Sequence, residues 1–288
     1  MKKQIKESYF DGERPLFKQH DEALIDTTFG KGESPLKETH DLDLDDVTFT
    51  WKYPLWYAKH IKVDNSIFET MSRSGIWYTH DIEIKNSALQ APKLFRRASD
   101  IKLENVHFSD AEETLWTCKN IDMKDVQVNG NYFGKDSENI TADNLNVVGN
   151  YVFDGAKNIE VHNSTFVSKD AFWNCENVTV YDSKISGEYL AWNTKNLTLI
   201  NCTIESDQGL CYIDGLKMVN CKVLRTDLSF EYCSNIDADI TTNVMSIKNP
   251  ISGTIKVESV DNIIFDDPEI DPSKTDIQVS ADFSQRGA

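Results

Sequence analysis

The sequence predicts an all-β fold: a right-handed parallel β-helix in which one strand-forming chain winds through about 13 coils of 19–21 residues. Three observations predict it. A short apolar motif returns every 19 to 21 residues, in segments such as HDLDLDDVTF, HDIEIKNSAL, KNIEVHNSTF and KNLTLINCTI. Within each copy apolar residues alternate with polar ones, which is the period of a strand with one buried face. Asn, Asp or Gly stands at fixed points beside these strands, where left-handed backbone and side-chain bonds favour a corner.

Taking the first core residue of each copy as its anchor gives Leu42, Ile61, Ile82, Ile101, Ile121, Ile140, Ile159, Val178, Leu197 and Leu216, with a weaker copy at Ile236. The residue two after each anchor is apolar throughout, from Leu44 and Val63 to Met218 and Ala238. Four after the anchor comes a column of Asp and Asn (Asp46, Asn65, Asn86, Asn105 and their successors), and just before it a second one (Asp41, Asp81, Asn120, Asn158). These are two corners. Apolar residues return seven after the anchor (Phe49, Phe68, Leu89, Phe108), beginning a second wall. A third wall precedes the next anchor, with Leu36, Leu55, Ile76 and Phe95 six before it and small residues such as Thr39, Ala58 and Cys118 three before it. Six and three differ by an odd number, so a regular strand cannot turn both inward. A bulge or left-handed residue is expected between them, at Asp136, Gly155, Asn174 and Asn193. A leucine-rich repeat has similar length and also uses Asn, but its second half carries a helix or extended turn, and here that half reads as strand with aromatics.

The repeat extends backwards, since Gly12-Glu13-Arg14-Pro15-Leu16 recurs as Gly32-Glu33-Ser34-Pro35-Leu36. It fades after Ile236. One β-helix domain over residues 1–265 is therefore expected, with N-terminal cap coils over 1–41 and an acidic cap or tail over 266–288.

Composition narrows the function classes. The 288 residues carry 47 acidic and 30 basic side chains, a net charge of −17, which argues against a nucleic-acid partner. The start turns polar at once after Met1-Lys2-Lys3-Gln4-Ile5, so no signal peptide is read, and no apolar run is long enough for a membrane helix. The expected compartment is the cytosol, where the six cysteines would be free thiols. Cys202 and Cys221 share a position in adjacent coils at a separation a disulfide would permit, and the reading favours a reduced core ladder.

Regular coils with Asn corners resemble the pectate-lyase-like right-handed β-helix superfamily. The paired GERPLF and GESPLKE segments ahead of them resemble a bacterial family of β-helix proteins designated a domain of unknown function. The superfamily resemblance implies carbohydrate chemistry, so its catalytic signatures were sought. A polygalacturonase-like site would bring Asn-Thr-Asp, Asp-Asp, Gly-His-Gly and Arg-Ile-Lys, and neither of the last two occurs. Asp45-Asp46 belongs to a corner column and Asp266-Asp267 to the tail. Coil length barely varies, which leaves no long loops for a lyase cleft with calcium carboxylates and an arginine base.

Three columns remain as candidate sites. Trp56, Trp77, Trp116, Trp173 and Trp192 all stand five before their anchors, where other coils place Lys37, Arg96 and Lys135, so the column is expected to face outward. Trp56 and Trp77, with Lys52, Arg73 and Arg96 nearby, are the expected ligand-binding group for a carbohydrate or a protein partner. Glu13 and Glu33, one coil apart, are the candidate catalytic carboxylates, against the simpler reading of an ion-pair ladder bracing the cap. His20, His40, His60 and His80 recur every 20 residues, but a column parallel to the axis does not converge as metal ligands must. No metal and no cofactor are expected. The functional expectation is thus a carbohydrate-binding or carbohydrate-acting β-helix protein, with a non-catalytic scaffold or interaction solenoid as the alternative.

Overall fold

The computed structural model describes residues 2–280. It is a right-handed parallel β-solenoid of about 15 turns and divides into two compact units, Met1–Gly149 and Asn150–Ala288. The first holds β1 (Lys3–Phe10), β2 (Glu22–Phe29), β3 (His40–Phe49), β4 (Lys59–Asp64), β5 (Ile67–Phe68), β6 (Ile76–Trp77), β7 (His80–Leu89), β8 (Phe95–Arg96), β9 (Ser99–Phe108), β10 (Lys119–Asn129) and β11 (Glu138–Val148). The second holds β12 (Lys157–His162), β13 (Thr165–Val167), β14 (Glu176–Tyr181), β15 (Lys184–Glu188), β16 (Lys195–Ile200), β17 (Thr203–Asp207), β18 (Asp214–Leu224), β19 (Ser234–Lys248), β20 (Gly253–Ile264) and β21 (Thr275–Val279). Among the described residues no helix is long and apolar enough to cross a membrane.

Anchors pair with anchors in parallel register, Leu42 with Ile61 and Ile61 with Ile82 in the first unit, Val178 with Leu197 and Leu197 with Leu216 in the second. Every anchor from Leu42 to Ile236 is at most 4% exposed. Inside the second wall of the first unit, Phe10, Phe29, Phe49 and Phe68 stack with ring centroids 5.4, 5.2 and 4.7 Å apart. Such stacking follows from the strand spacing of about 4.8 Å between adjacent coils. The turn count is slightly above expectation because β1 completes a coil at one end, while the segment read as an acidic tail contains β21, paired with β20. The last eight residues of that segment lie outside the described residues.

Both expected corners are left-handed, with φ of 56° at Asp41, 55° at Asp46, 48° at Asn86 and 54° at Asn201. Side-chain amides link them from coil to coil, Asn86 Nδ2 to Asp64 Oδ1 at 2.8 Å and Asn105 Nδ2 to Asn86 Oδ1 at 2.8 Å. The expected left-handed residues of the third wall are also present, with φ of 53° at Asp136, 71° at Gly155, 56° at Asn174 and 58° at Asn193. The wall itself differs from expectation: it is mostly turn, and only β6 and β8 form a strand pair in it. The reason is a second left-handed residue two positions earlier, at Leu115, Phe153, Phe172, Ala191 and Phe230, with φ from 56° to 68°. Two such residues turn side chains inward without an extended ladder. A bulky residue in this region is strained, and its complete burial is what holds it there.

Candidate functional site

Residues one and three after each anchor alternate with buried ones and face outward. From β3 to β10 those one after are Asp43, Lys62, Glu83, Lys102 and Asp122, followed by the uncharged Thr141 on β11. Parallel register sets each beside the next, so opposite charges alternate across β3, β4, β7, β9 and β10. Lys2 Nζ lies 2.8 Å from Asp43 Oδ1. In the neighbouring column, Lys85 Nζ lies 3.0 Å from Glu83 Oε1 and 3.1 Å from Glu104 Oε2. Hydrogen bonds that Lys85 donates to those two carboxylates hold its ammonium above its ordinary pKa.

Three shallow depressions of about 340, 250 and 400 Å³ run along this face. The first two share Asp43, Lys62 and Glu83, and the last two share Asp81 and Lys102, so they adjoin along one face as a shallow groove whose far end is lined by Asp122, Asn139 and Thr141. With strands about 4.8 Å apart, six coils give it a length of roughly 24 Å. Two carboxylates of its corner have perturbed proton affinity, and both are held low: Asp41 by its 2.7 Å hydrogen bond with His40 Nδ1, and Asp100 by Ser99 Oγ at 2.7 Å and Asn120 Nδ2 at 2.8 Å.

The expected ligand-binding tryptophans form a ladder on another wall. Trp56 and Trp77 stack nearly parallel, centroids 5.7 Å apart and planes 8° apart. The Arg96 guanidinium lies 4.7 Å from the ring centres of both Trp77 and Trp116, sandwiched between them. Both faces of Trp77 are therefore occupied, and that ring turns only its edge outward. The indole N–H groups donate to backbone carbonyls one coil on, Trp77 to Lys93 at 2.9 Å and Trp116 to Tyr132 at 2.7 Å. Alongside runs a second stack, Tyr57 on Tyr78 at 4.8 Å, flanked by Lys37 and Arg97.

Arg96 also meets Glu113, with Nη2 to Oε2 at 3.5 Å. Lys52 lies 3.5 Å from Glu33 and 5.5 Å from the Trp51 ring centre. Glu13 and Arg73 sit on the surface, with the backbone of Arg14 bonded to that of Glu33. The structure thus brings Lys52 to Glu33 and Arg96 to Trp77. His20 and His40 stack at 4.8 Å, while His60 Nδ1 meets Asp81 at 2.8 Å and His80 Nδ1 meets Ser99 Oγ at 2.9 Å. Each imidazole faces its own partner, and among the described residues no three ligating side chains gather at one point. Cys202 and Cys221 are buried thiols donating to Val180 and Leu199 carbonyls at 3.4 and 3.3 Å. The neighbouring Cys221 thiol, together with burial, pushes the Cys202 thiol pKa up.

Residues 3–278 match a family described as Protein of unknown function (DUF3737). The chain belongs to the DUF3737 family. No curated protein matches the sequence. Two solved structures resemble this DUF3737 chain at low identity. One is PfbA, a surface adhesin of Streptococcus pneumoniae, at 12% identity over 77% of this chain and 71% of that one, with a TM-score of 0.42. The other is the A-module of the Azotobacter vinelandii mannuronan C-5 epimerase AlgE4, at 10% identity over 97% and 91%, with a TM-score of 0.44.

The groove residues Asp43, Lys62, Glu83, Lys102 and Asp122 escaped the sequence reading. Their signal was available as a sign that flips from copy to copy at one fixed offset. That signal is weak, because polar residues at outward positions are the ordinary content of a solvated strand face.

Proposed function

We propose that the first unit is a non-catalytic carbohydrate-binding solenoid, holding an extended saccharide along the groove from Asp43 to Thr141. The observation that carries it is the repeat of paired donors and acceptors at every coil, lining connected depressions. The coil rise of about 4.8 Å is close to the length of one pyranose ring in an extended chain, so successive sugars meet equivalent groups. Mixed carboxylates and lysines suit hydroxyl groups, and the excess of carboxylates disfavours polyuronates. A general acid needs its pKa raised toward neutrality, and the two perturbed carboxylates of this face are shifted the other way, which supports binding over bond cleavage. The Trp56, Trp77 and Arg96 ladder braces the neighbouring wall in this reading. Six buried free thiols support a reducing compartment, the cytosol.

The test is binding of neutral oligosaccharides by glycan array and calorimetry. Lys62→Ala combined with Glu83→Ala should weaken binding at least tenfold while Trp56→Ala leaves the affinity of folded protein unchanged. Wild-type affinity in the groove variant sinks the proposal, as does the absence of any saccharide binding.

A further inference from the structure

The first and last coils are complementary, and we propose that the β1 edge docks the β21 edge of a second copy of this chain, joining molecules head to tail by parallel strand pairing. Among the described residues β1 is paired only with β2, leaving one row of its backbone groups without a ladder partner. Core positions of this coil are open: Ile5, Phe10 and Leu16 are half-buried, whereas their counterparts one coil on, Leu24, Phe29 and Leu36, are at most 2% exposed. At the other end Phe265, Ile270 and Ile277 are half-buried and Val279 is 49% exposed. An unpaired edge beside exposed core is a template for another strand.

Register and charge select the occupant. Ile5 pairs with Leu24 and Leu24 with Leu44, while Ala238 pairs with Ile255 and Ile255 with Ile277. Leu44 and Ala238 both stand two after their anchors, so Ile5 and Ile277 belong to the same column. Setting Ile277 of one copy beside Ile5 of the next continues the core and places Asp276 on the same outward face as Lys6. Residues 2–20 carry five Lys or Arg against three Asp or Glu, while residues 258–280 carry seven Asp or Glu against one Lys. Opposite ends attract. Two first coils face to face would instead set Lys3 and Lys6 against their own copies.

The anchor column marks the same end as incomplete. Glu22 occupies an anchor position filled by apolar residues from Leu42 to Ile236 and is 3% exposed. Its Oε1 meets Lys3 at 2.9 Å, and its Oε2 is buried without a hydrogen-bond donor. A buried acceptor left bare is costly, so the anchor column is less well satisfied at this end than in any later coil. Because the contact is heterologous, each joined pair keeps one free β1 edge and one free β21 edge, so association can continue beyond two copies.

Sedimentation of the whole protein over a wide concentration range tests this. At low salt the average mass should rise with concentration, and added salt should reverse it. Lys6→Glu, an exposed site, should weaken association about tenfold, and adding Asp276→Lys in the same chain should restore it to within threefold of wild type. A protein that stays monomeric throughout at low salt overturns the proposal. So does growth that Lys6→Glu leaves untouched, or a Lys6→Glu defect that the charge swap does not repair.

Discussion

The outward columns of the two units differ although their inward columns are alike. Across β3, β4, β7 and β9 of the first unit the positions one and three after the anchor are charged, running Asp43, Lys62, Glu83, Lys102 and, beside them, Asp45, Asp64, Lys85, Glu104. Across β12, β14, β16 and β18 of the second unit they are Glu160, Thr179, Thr198, Lys217 and, beside them, His162, Tyr181, Ile200, Val219, in the same parallel register. His162 and Tyr181 stack at 4.5 Å with planes 4° apart, an aromatic pair where the first unit has carboxylates and lysines. A coil template therefore dictates the inward and corner positions and leaves the outward ones free. What distinguishes the units is written only in those free columns, and the groove belongs to the charged set.

If the template is common, core damage must cost the same in both units. Phe68 and Phe166 are each fully buried seven after an anchor. Phe68→Ala and Phe166→Ala should each destabilise by about 3–5 kcal/mol in denaturant unfolding, through lost burial and the cavity left behind. A cost below about 1 kcal/mol in one unit alone would break the equivalence.

The corner ladders should be equivalent too. Asn86 and Asn201 both combine left-handed backbone with two side-chain amide links, Asn201 donating to Asp182 at 2.9 Å and accepting from Asn220 at 2.9 Å. Replacing either with Ala removes the links and strains the corner, for about 2 kcal/mol, of which Gly should recover roughly half. Equal losses for Ala and Gly would show that backbone strain is not the cause.

Binding should separate the units. Thr179→Ala with Thr198→Ala alters the second unit at the offset that Lys62 and Glu83 occupy in the first. Calorimetry should show less than a twofold change in saccharide affinity, against a tenfold loss for the groove pair, about 1.4 kcal/mol. Equal losses would move the site off the charged face.

These contrasts also show what a sequence reader can see. Anchors, corners and the second wall were legible because each is a type restriction repeated in nearly every coil: only apolar residues fill Ile61 and Ile82, and Asn or Asp suits the left-handed φ of Asn65 and Asn86. The third wall was legible only in part. Asn174 announces its own turn, but the left-handed φ of Phe172 has no local signal, because a phenylalanine reaches it only when burial outweighs strain. The Trp column was legible as a column, and its ring orientation was not. A repeat that stacks indoles coil on coil consumes the faces of Trp77 that an isolated surface Trp would offer.

The smallest predicted contrast lies in pH dependence. In the first unit, hydrogen bonds from Ser99 and Asn120 hold Asp100 below its ordinary pKa of 3.8. Its contribution is present above pH 3.8 and is lost as pH falls through the lower folded value. Asp100→Asn keeps a residue suited to the left-handed corner and removes the charge, so the variant should melt slightly below wild type at neutral pH and together with it in strong acid. In the second unit the Tyr232 hydroxyl donates to Asp267 Oδ2 at 2.8 Å, and this bond pushes the phenol up to about 12 from its ordinary 10.0. Folding then favours the protonated phenol, so this contribution is present below pH 10 and is lost as pH rises through about 12. Tyr232→Phe should remove the alkaline loss and, because the same bond helps hold Asp267 below its ordinary pKa, also alter the acid limb, while Asp100→Asn leaves the alkaline limb unchanged. An alkaline limb changed by Asp100→Asn, or left unchanged by Tyr232→Phe, would sink these assignments.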